Sequence, residues 1–254
     1  MANYRLILEY DGTAYNGFQI QSNGITIQEL LETALARIAR EPVRVIAAGR
    51  TDAGVHALNQ VANFHSKLSV PVERIPIAVN SLLPRDIRVK SCQIVADDFH
   101  ARFAAVAKTY LYRIRQGAIE SAFERHYCWW IKRPLDRSLM RKAGKLLEGP
   151  HDFAAFAASG SSVKSTVRTL ISYGQIDTDN GIDLRFTADG FLYRMVRNLV
   201  GTLVEVGLGK RDAAEIPAII ASKNRNCAGV TAPASGLFLE QVWYEQARMD
   251  SDHA

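Results

Sequence analysis

The chain has few cysteines and no long apolar run, and both features restrict the classes of protein to which it can belong. Its 254 residues include only Cys92, Cys128 and Cys227, which form no CxxC pair. No structural zinc site is therefore predicted, and so sparse and odd a count fits a reducing compartment. No apolar segment approaches the roughly 20 residues that a membrane-spanning helix needs. The N-terminus lacks the basic-then-apolar pattern of a signal peptide, so we expect a cytoplasmic protein.

Several common catalytic motifs are also missing. The sequence contains no P-loop, no GxGxxG after a strand, no HExxH and no GxSxG nucleophile elbow. Its six histidines are scattered, without the spacing of metal ligands. The chemistry of this chain therefore has to be sought in other residues.

Positive charge is concentrated in one part of the chain. The formal net charge is +5. Residues 108–145, here called the basic segment, contain ten Lys or Arg and three acids, so the rest of the chain is slightly acidic. A local positive excess of this kind indicates a polyanionic partner, although a solvated basic face without a partner would have the same composition.

The first 106 residues predict the order β-α-β-β-α-β. Alternating apolar and polar residues indicate strands, and the helix that follows Thr26 has Glu29 three residues later, as in a capping box. This order is that of a ferredoxin-like unit, with two helices packed on one face of an antiparallel sheet. The predicted strands cover residues 3–12, 43–48, 57–65 and 86–95, and the predicted helices cover 26–40 and 72–83.

A second α/β pattern begins near Lys108. We therefore predict an α/β (α+β) protein with two ferredoxin-like or RRM-like halves, residues 1–106 and 107–254. The halves are expected to form an extended, mostly antiparallel sheet flanked by helices, with a central cleft, and the tail 247–254 is expected to be loose. The predicted strands cover 108–117, 126–131, 166–176, 181–189 and 237–245, and the predicted helices cover 137–149, 191–207 and 213–223.

The loop GRTDAGVH, residues 49–56, holds the first candidate for chemistry. Asp52 lies between two glycines, close to Arg50. A neighbouring guanidinium lowers the pKa of a carboxyl group, so Asp52 would stay ionised and could attack carbon. An Asp in a glycine-flanked turn can also be purely structural.

Two further candidates lie in the second half. The predicted helix 191–207 is apolar on most sides, so Arg197 needs a carboxylate partner, whether in a structural ion pair or at a functional site. Tyr110 lies on the predicted basic strand 108–117, on one face with Lys108 and Tyr112. A tyrosine there either packs in the core or stacks on a nucleobase.

Five blocks of the sequence, taken together, resemble the bacterial tRNA pseudouridine synthase A family. GRTDAGVHALNQVANF resembles the active-site segment of that family almost letter for letter. The other blocks are EYDGTAYNGFQIQ with TIQELLETAL, DDFHARFAAVAKTYLYRI, FLYRMVRNLVGTLVEVG and TAPASGLFLEQVWY. They occur in the family's order over nearly the whole chain, and the likeness is looser between residues 118 and 165.

The resemblance implies an isomerase that converts uridine to pseudouridine at positions 38, 39 and 40 of the tRNA anticodon stem-loop. It implies that Asp52 is the catalytic nucleophile and that Arg197 pairs with it. Tyr110 would stack on the target uracil, Arg50 would fill the gap left by the flipped nucleotide, and Leu237 would line the floor of the pocket. It also implies a homodimer that binds tRNA without a metal, an organic cofactor or a membrane.

Two other functions remain open on the residues alone. A non-catalytic RNA-binding protein on paired ferredoxin-like sheets would use the basic segment and Tyr110 but would not need Asp52. A small-molecule hydrolase would use Asp52 but would not need the basic segment. Release of tritium from uridine C5 of unmodified tRNA separates both from an isomerase.

Overall fold

The computed structural model describes residues 1–158, 160 and 163–245, and these form two compact units. Unit 1 comprises Met1–Val106 and the chain from Phe238 onward, and unit 2 is Ala107–Leu237. The sequence-based division placed residues 238–254 in the second half. The structure groups the described residues 238–245 with unit 1, since the closing strand pairs with a strand of that unit. The tail 247–254, expected to be loose, lies outside the described residues.

Unit 1 has the predicted β-α-β-β-α-β order. Strand β1 pairs antiparallel with β3 on one side and β4 on the other, and β2 pairs antiparallel with β3. The strand order is therefore β4-β1-β3-β2, in a mostly antiparallel sheet flanked by helices. The elements are β1 (Ala2–Tyr10), α1 (Ile27–Ala39), β2 (Ile46–Ala47), β3 (His56–Ser66), α2 (Ile75–Asn80) and β4 (Ile87–Val95).

Local signals explain most of these boundaries. Helix α1 begins after Thr26, whose side chain accepts a hydrogen bond from the Glu29 N–H, as the capping pattern predicts. It ends at Arg40, which adopts the left-handed conformation with φ 57°. The strand predicted over residues 43–48 is shorter than expected, since only Ile46 and Ala47 pair with β3.

Unit 2 repeats the order of the first three strands of unit 1, with two additions. In both, the third strand lies between the first two, so that β5-β9-β8 corresponds to β1-β3-β2. Strand β6 adds to β5 in parallel, and β7 adds to β8 antiparallel. The elements are β5 (Ala107–Gln116), β6 (Trp129–Ile131), α3 (Arg137–Lys145), β7 (Gly149–Asp152), β8 (Val167–Thr178), β9 (Gly181–Ala188), α4 (Met195–Gly207) and α5 (Ile216–Ser222).

The closing strand β10 (Leu237–Trp243) pairs in parallel with the start of β3. Phe238 lies opposite His56, and Leu239 lies opposite Ala57. Strand β10 therefore supports the point where the 49–56 loop enters β3.

The start of α4 differs from the prediction. The apolar pattern predicted a helix from Phe191, but the helix begins at Met195. Arg194 has φ 58°, a left-handed conformation that a continuous right-handed helix excludes. Within the described residues, no helix has the length and apolar character needed to cross a membrane.

Candidate active site

The loop of residues 49–56 is tied down on both sides of Asp52. Before it, the Ala48 N–H donates to the Val61 carbonyl at 2.8 Å. After it, the Val55 N–H donates to the Asp52 carbonyl at 3.1 Å and closes a turn. Asp52 is half-buried, whereas Arg50 is exposed. The structure thus presents a carboxylate on a short, anchored turn.

Thr51 is held at both its backbone and its side chain. It is only 6% exposed, and its carbonyl accepts a hydrogen bond of 3.0 Å from the Phe18 N–H. Its Oγ1 lies 2.7 Å from the Tyr10 hydroxyl, within hydrogen-bonding distance. Gly17 has φ 85°, and a Cβ there would lie 2.5 Å from the Thr51 carbonyl oxygen. Residues 12–18 therefore pack against the loop so closely that position 17 requires glycine.

Gln60 on β3 continues this set of contacts. Its Nε2 donates to the Gly49 carbonyl at 2.8 Å and to the Tyr10 hydroxyl at 3.3 Å. Burial raises the pKa of Tyr10 to about 12, against the opposing effect of hydrogen bonds from Thr51 and Gln60. The hydroxyl is therefore protonated at neutral pH. We call these three side chains the Tyr10–Thr51–Gln60 network.

His56 anchors the far end of the loop. It is 1% exposed, and its ring stacks on Phe238 of β10 at a centroid distance of 4.7 Å. Its Nδ1 lies 3.1 Å from an Asp11 carboxylate oxygen and 3.0 Å from the Gly12 nitrogen. His56 is thus a buried polar residue that fixes where β3 begins.

In unit 2, the candidate Tyr110 lies on β5 opposite Phe186 of β9. It is 8% exposed, and its ring meets the edge of Phe191 at 5.0 Å. Two residues further on, Tyr112 is fully buried and donates its hydroxyl hydrogen to the Pro233 carbonyl at 2.9 Å. Burial raises the pKa of Tyr112 well above its ordinary value.

Arg197, in the first turn of α4, is half-buried. Its Nε donates to the Ala232 carbonyl at 2.7 Å, and the Ala232 N–H donates to the Arg197 carbonyl at 3.1 Å. The guanidinium also lies near enough to Tyr112 to lower the pKa of that hydroxyl, an effect smaller than that of burial. The side chain is therefore aimed by the segment that precedes β10, and its pairing with Asp52 stays a prediction.

Leu237 follows the tight turn Ala234–Gly236 and is 6% exposed. A Cβ on Gly236 would lie 2.6 Å from the Tyr112 ring, so the backbone there packs directly on the tyrosine. Residues 232–237 connect the three candidates of unit 2. Arg197 is hydrogen-bonded to Ala232, and Leu237 ends the segment. Tyr110 lies on β5 with Tyr112, whose hydroxyl is hydrogen-bonded to Pro233.

Several cations of the basic segment are paired with carboxylates, which its composition alone does not indicate. Arg115 pairs with Glu124 at 3.3 Å and with Asp183 at 2.7 Å. Arg141 pairs with Asp177 at 2.8 Å, and Lys145 with Glu148 at 2.7 Å. Three of these acids lie outside residues 108–145, so a count within the segment overlooks them. Among its exposed cations are Arg125, Lys132, Arg133 and Lys142.

Sequence reasoning found the residues in the local motifs and missed those that hold them. Tyr10 and Gly17 are distant from Asp52 along the chain, whereas Gln60 lies in the same block, GRTDAGVHALNQVANF, but has no local pattern that indicates its contacts. The segment EYDGTAYNGFQIQ, which contains two of them, was the available indication. Among the described residues, no cluster of three or more His, Cys, Asp or Glu side chains could hold a metal ion.

Comparison with known proteins gives full-length matches. A family model described as tRNA pseudouridine synthase matches residues 6–104 and 143–245, which leaves Tyr110 and most of the basic segment unmatched. The chain is 47% identical over 244 residues to tRNA pseudouridine synthase A of Thermoanaerobacter pseudethanolicus, covering 96% of this chain and 100% of that protein.

A second relative and a solved structure complete the comparison. Identity to tRNA pseudouridine synthase A of Acetivibrio thermocellus is also 47%, over 96% of this chain and 100% of that protein. An archaeal box H/ACA sRNP Nop10-Cbf5 complex matches at 14% identity, covering 79% of this chain and 44% of that chain, with a TM-score of 0.35. At that TM-score the likeness supports no inference.

Proposed function

The chain belongs to the tRNA pseudouridine synthase family, and we propose that it uses Asp52 to isomerise uridines 38, 39 and 40 of the anticodon stem-loop. Membership makes it an isomerase that converts uridine to pseudouridine in tRNA. This activity rules out the non-catalytic RNA-binding protein and the small-molecule hydrolase. The nucleophile and the positions are the proposed part.

The reaction requires a group that can attack carbon. The N1–C1′ bond breaks, the uracil turns, and a C5–C1′ bond forms, while the C5 proton leaves and N1 gains a proton. A carboxylate can trap the sugar or the base covalently, or assist a glycal intermediate. The observation that carries the proposal is the half-buried carboxylate of Asp52, on a turn whose neighbour Thr51 is fixed by three contacts.

Unit 2 supplies the groups that would act on Asp52 and the uracil. We assign Arg197 as the partner of the Asp52 carboxylate, as the family resemblance implies; its Nε donates to Ala232, which leaves the other guanidinium nitrogens as donors for that role. We assign Tyr110 to stacking on the target uracil and Leu237 to the floor of the pocket.

Arg50 is assigned to base flipping. A uridine in or beside a stem has to leave the stack before its glycosidic bond can be reached, which costs a few kcal/mol. Arg50 is exposed and lies two residues from Asp52. A guanidinium that stacks in the vacated space would offset part of that cost.

Assembly and location follow from the substrate and the resemblance. We propose that the enzyme acts as a homodimer on which one tRNA contacts both subunits, and that it works in the cytoplasm, where tRNA is used. Light scattering of the purified protein tests the first point, since a monomer mass at assay concentration would overturn it.

The central experiment measures tritium release from uridine C5 of unmodified tRNA. Asp52→Asn removes the charge at nearly constant volume and is expected to abolish release, whereas Glu9→Gln, an exposed carboxylate change on β1, is the matched control and should retain it. Arg197→Met should also lose activity, with a weakened but intact fold. Full activity of Asp52→Asn would refute the nucleophile.

The proposed positions are tested with four tRNA transcripts. Three of them each carry a uridine at only one of positions 38, 39 and 40 of the anticodon stem-loop, and the fourth carries none at these positions. Release from the first three alone is expected. Release from the fourth at the same rate would contradict the assignment of the anticodon stem-loop.

A further inference from the structure

The buried Tyr10–Thr51–Gln60 network holds the part of the loop that leads into the proposed nucleophile, Asp52. Tyr10 is 3% exposed, Thr51 6% and Gln60 0%. Tyr10 and Gln60 belong to β1 and β3, the paired central strands of unit 1. They touch the loop at Thr51 Oγ1 and at the Gly49 carbonyl. None of these atoms is available to a substrate, so any influence on the reaction passes through the loop.

We propose that Tyr10 and Gln60 are positioning residues, which fix the direction of the Asp52 carboxylate by holding Gly49 and Thr51. The inference rests on the proposed role of Asp52. The carbonyl of residue 49 and the side chain of residue 51 are both bound to paired strands, so the backbone that leads into Asp52 has little freedom to rotate. The Phe18 N–H, bound to the Thr51 carbonyl, removes the remaining rotation.

The composition of the cluster favours this role over stability alone. Buried polar groups can often be replaced by apolar groups of the same shape at little cost in stability. Gln60 Oε1 is buried and has no hydrogen-bond partner among the described residues. A buried acceptor without a hydrogen-bond partner destabilises the fold, so the presence of glutamine at position 60 calls for an explanation. The hydrogen bonds from its Nε2 to Gly49 and Tyr10 provide one.

Single-atom changes test the proposal. Tyr10→Phe removes only the hydroxyl, and Thr51→Val removes only its partner atom at nearly constant volume. Thr51→Ser keeps Oγ1 and serves as the conservative variant. A carboxylate that strays by about 1 Å loses up to ~100-fold in rate, so we expect a fall of about 10- to 100-fold for the first two variants and recovery for Thr51→Ser.

The measurement separates chemistry from binding. Tritium release under single-turnover conditions gives the rate constant of the chemical steps, and filter binding gives the Kd for tRNA. We expect the rate constant to fall and the Kd to stay within about twofold, as for a group that acts only on the reacting geometry. Circular-dichroism melting of each variant establishes that it is folded at the assay temperature.

Two comparisons make the test specific. Tyr4→Phe is the matched control, because Tyr4 lies on the same strand, is 5% exposed and stacks on Phe64, far from the loop. It should retain the wild-type rate. The double variant of Tyr10→Phe and Thr51→Val should be no slower than Tyr10→Phe alone, since that single variant already removes the hydrogen bond between the two side chains as well as the one from Gln60.

The outcomes distinguish this inference from the proposed nucleophile. If Asp52→Asn is inactive while folded Tyr10→Phe and Thr51→Val release tritium at the wild-type rate, the positioning role is refuted and the nucleophile stands. Equal losses in Tyr4→Phe, or losses in rate matched by losses in tRNA binding, also refute it. If Asp52→Asn is active, the proposed nucleophile fails first.

Discussion

Residues 12–18 help to set the position of the Asp52 loop. At Gly17 the backbone is left-handed, and the space where a side chain would begin is occupied by the Thr51 carbonyl. The Phe18 N–H then bonds that same carbonyl. A change at position 17 is therefore felt at Thr51 and, through it, at Asp52.

We predict that Gly17→Ala lowers both stability and activity. The alanine would have to adopt φ 85° with its Cβ 2.5 Å from a carbonyl oxygen, so the loop has to move. Such strain costs about 1–3 kcal/mol of the free energy of unfolding. Urea denaturation measures the stability, and tritium release from tRNA measures the activity.

Gly209→Ala is the matched control. Gly209 also has positive φ, 68°, but among the described residues no atom beyond its chain neighbours lies within 4 Å of the position of an added Cβ. The Gly209→Ala variant therefore has the backbone strain without the steric clash, and we expect its activity to be unchanged. If the two variants were equally active, contact with Thr51 would not be what matters at position 17.

At the scale of the element, the apolar patterns predict most strands and helices but not every boundary. Helix α1 is predicted well because its cap and its periodicity are both local. The start of α4 is not, since Arg194 adopts a left-handed conformation with its guanidinium over the Tyr193 ring at 5.0 Å. Strand β7, with the sequence GPHD, has no alternation to reveal it and exists because β8 pairs with it.

The candidate site shows the same difference between residues with a local sequence signal and residues without one. The motif GRTDAGVH is contiguous, so Arg50 and Asp52 could be found from the sequence. Tyr10 and Gln60 look like ordinary strand residues, because their partners are 41 and 11 residues away and nothing local marks them. The acids that neutralise Arg115 and Arg141 were missed for the same reason: strand pairing, rather than sequence distance, brings them close.

An ion pair joins the end of α5 to the end of β7. Lys223, the residue after α5, lies 2.8 Å from the Asp152 carboxylate, and Thr166 Oγ1 donates to another oxygen of that carboxylate. The hydrogen bonds from Lys223 and Thr166 lower the pKa of Asp152 despite its partial desolvation. Its folded-state pKa is thus below its unfolded-state value, and the stabilisation is complete above the unfolded value and lost as pH falls through the folded value.

We therefore predict that unit 2 loosens in acid in a way that depends on Lys223. The free energy of unfolding of the wild type should fall below about pH 4, where carboxyl groups become protonated. Lys223→Met should flatten part of this decline, because the larger of the two contacts that lower the pKa is gone. Urea titrations at several pH values measure it, and an identical decline in both proteins would contradict the assignment.

At the scale of the whole molecule, the free cations decide how RNA binding responds to salt. Each phosphate neutralised by Lys or Arg changes the slope of log K against log salt by roughly −0.7 to −0.9. Of the basic segment, only cations without an acid partner release counterions in full. The exposed Lys132 and Arg133 belong to an exposed run and are the strongest candidates for such contacts.

We expect Lys132→Gln and Arg133→Gln each to reduce the salt slope of tRNA binding by about one. Arg141→Gln is the comparison, since Asp177 already neutralises that guanidinium and a smaller change should follow. Filter binding between 50 and 200 mM salt, roughly the range where such slopes are measured, provides the data. Equal slopes for all three variants and the wild type would exclude Lys132 and Arg133 from the phosphate contacts.

The pairing of β10 with β3 also has a consequence for how the protein can be dissected. Unit 1 is assembled from two stretches of chain separated by the whole of unit 2. A gene fragment that ends at codon 106 would encode a β3 without the neighbour that covers His56, and a truncation before codon 238 would remove that neighbour while sparing every residue of the GRTDAGVH motif. A circular permutant opened between residues 106 and 107, with the original ends joined, would by contrast make unit 1 contiguous and place it after unit 2 in a single chain.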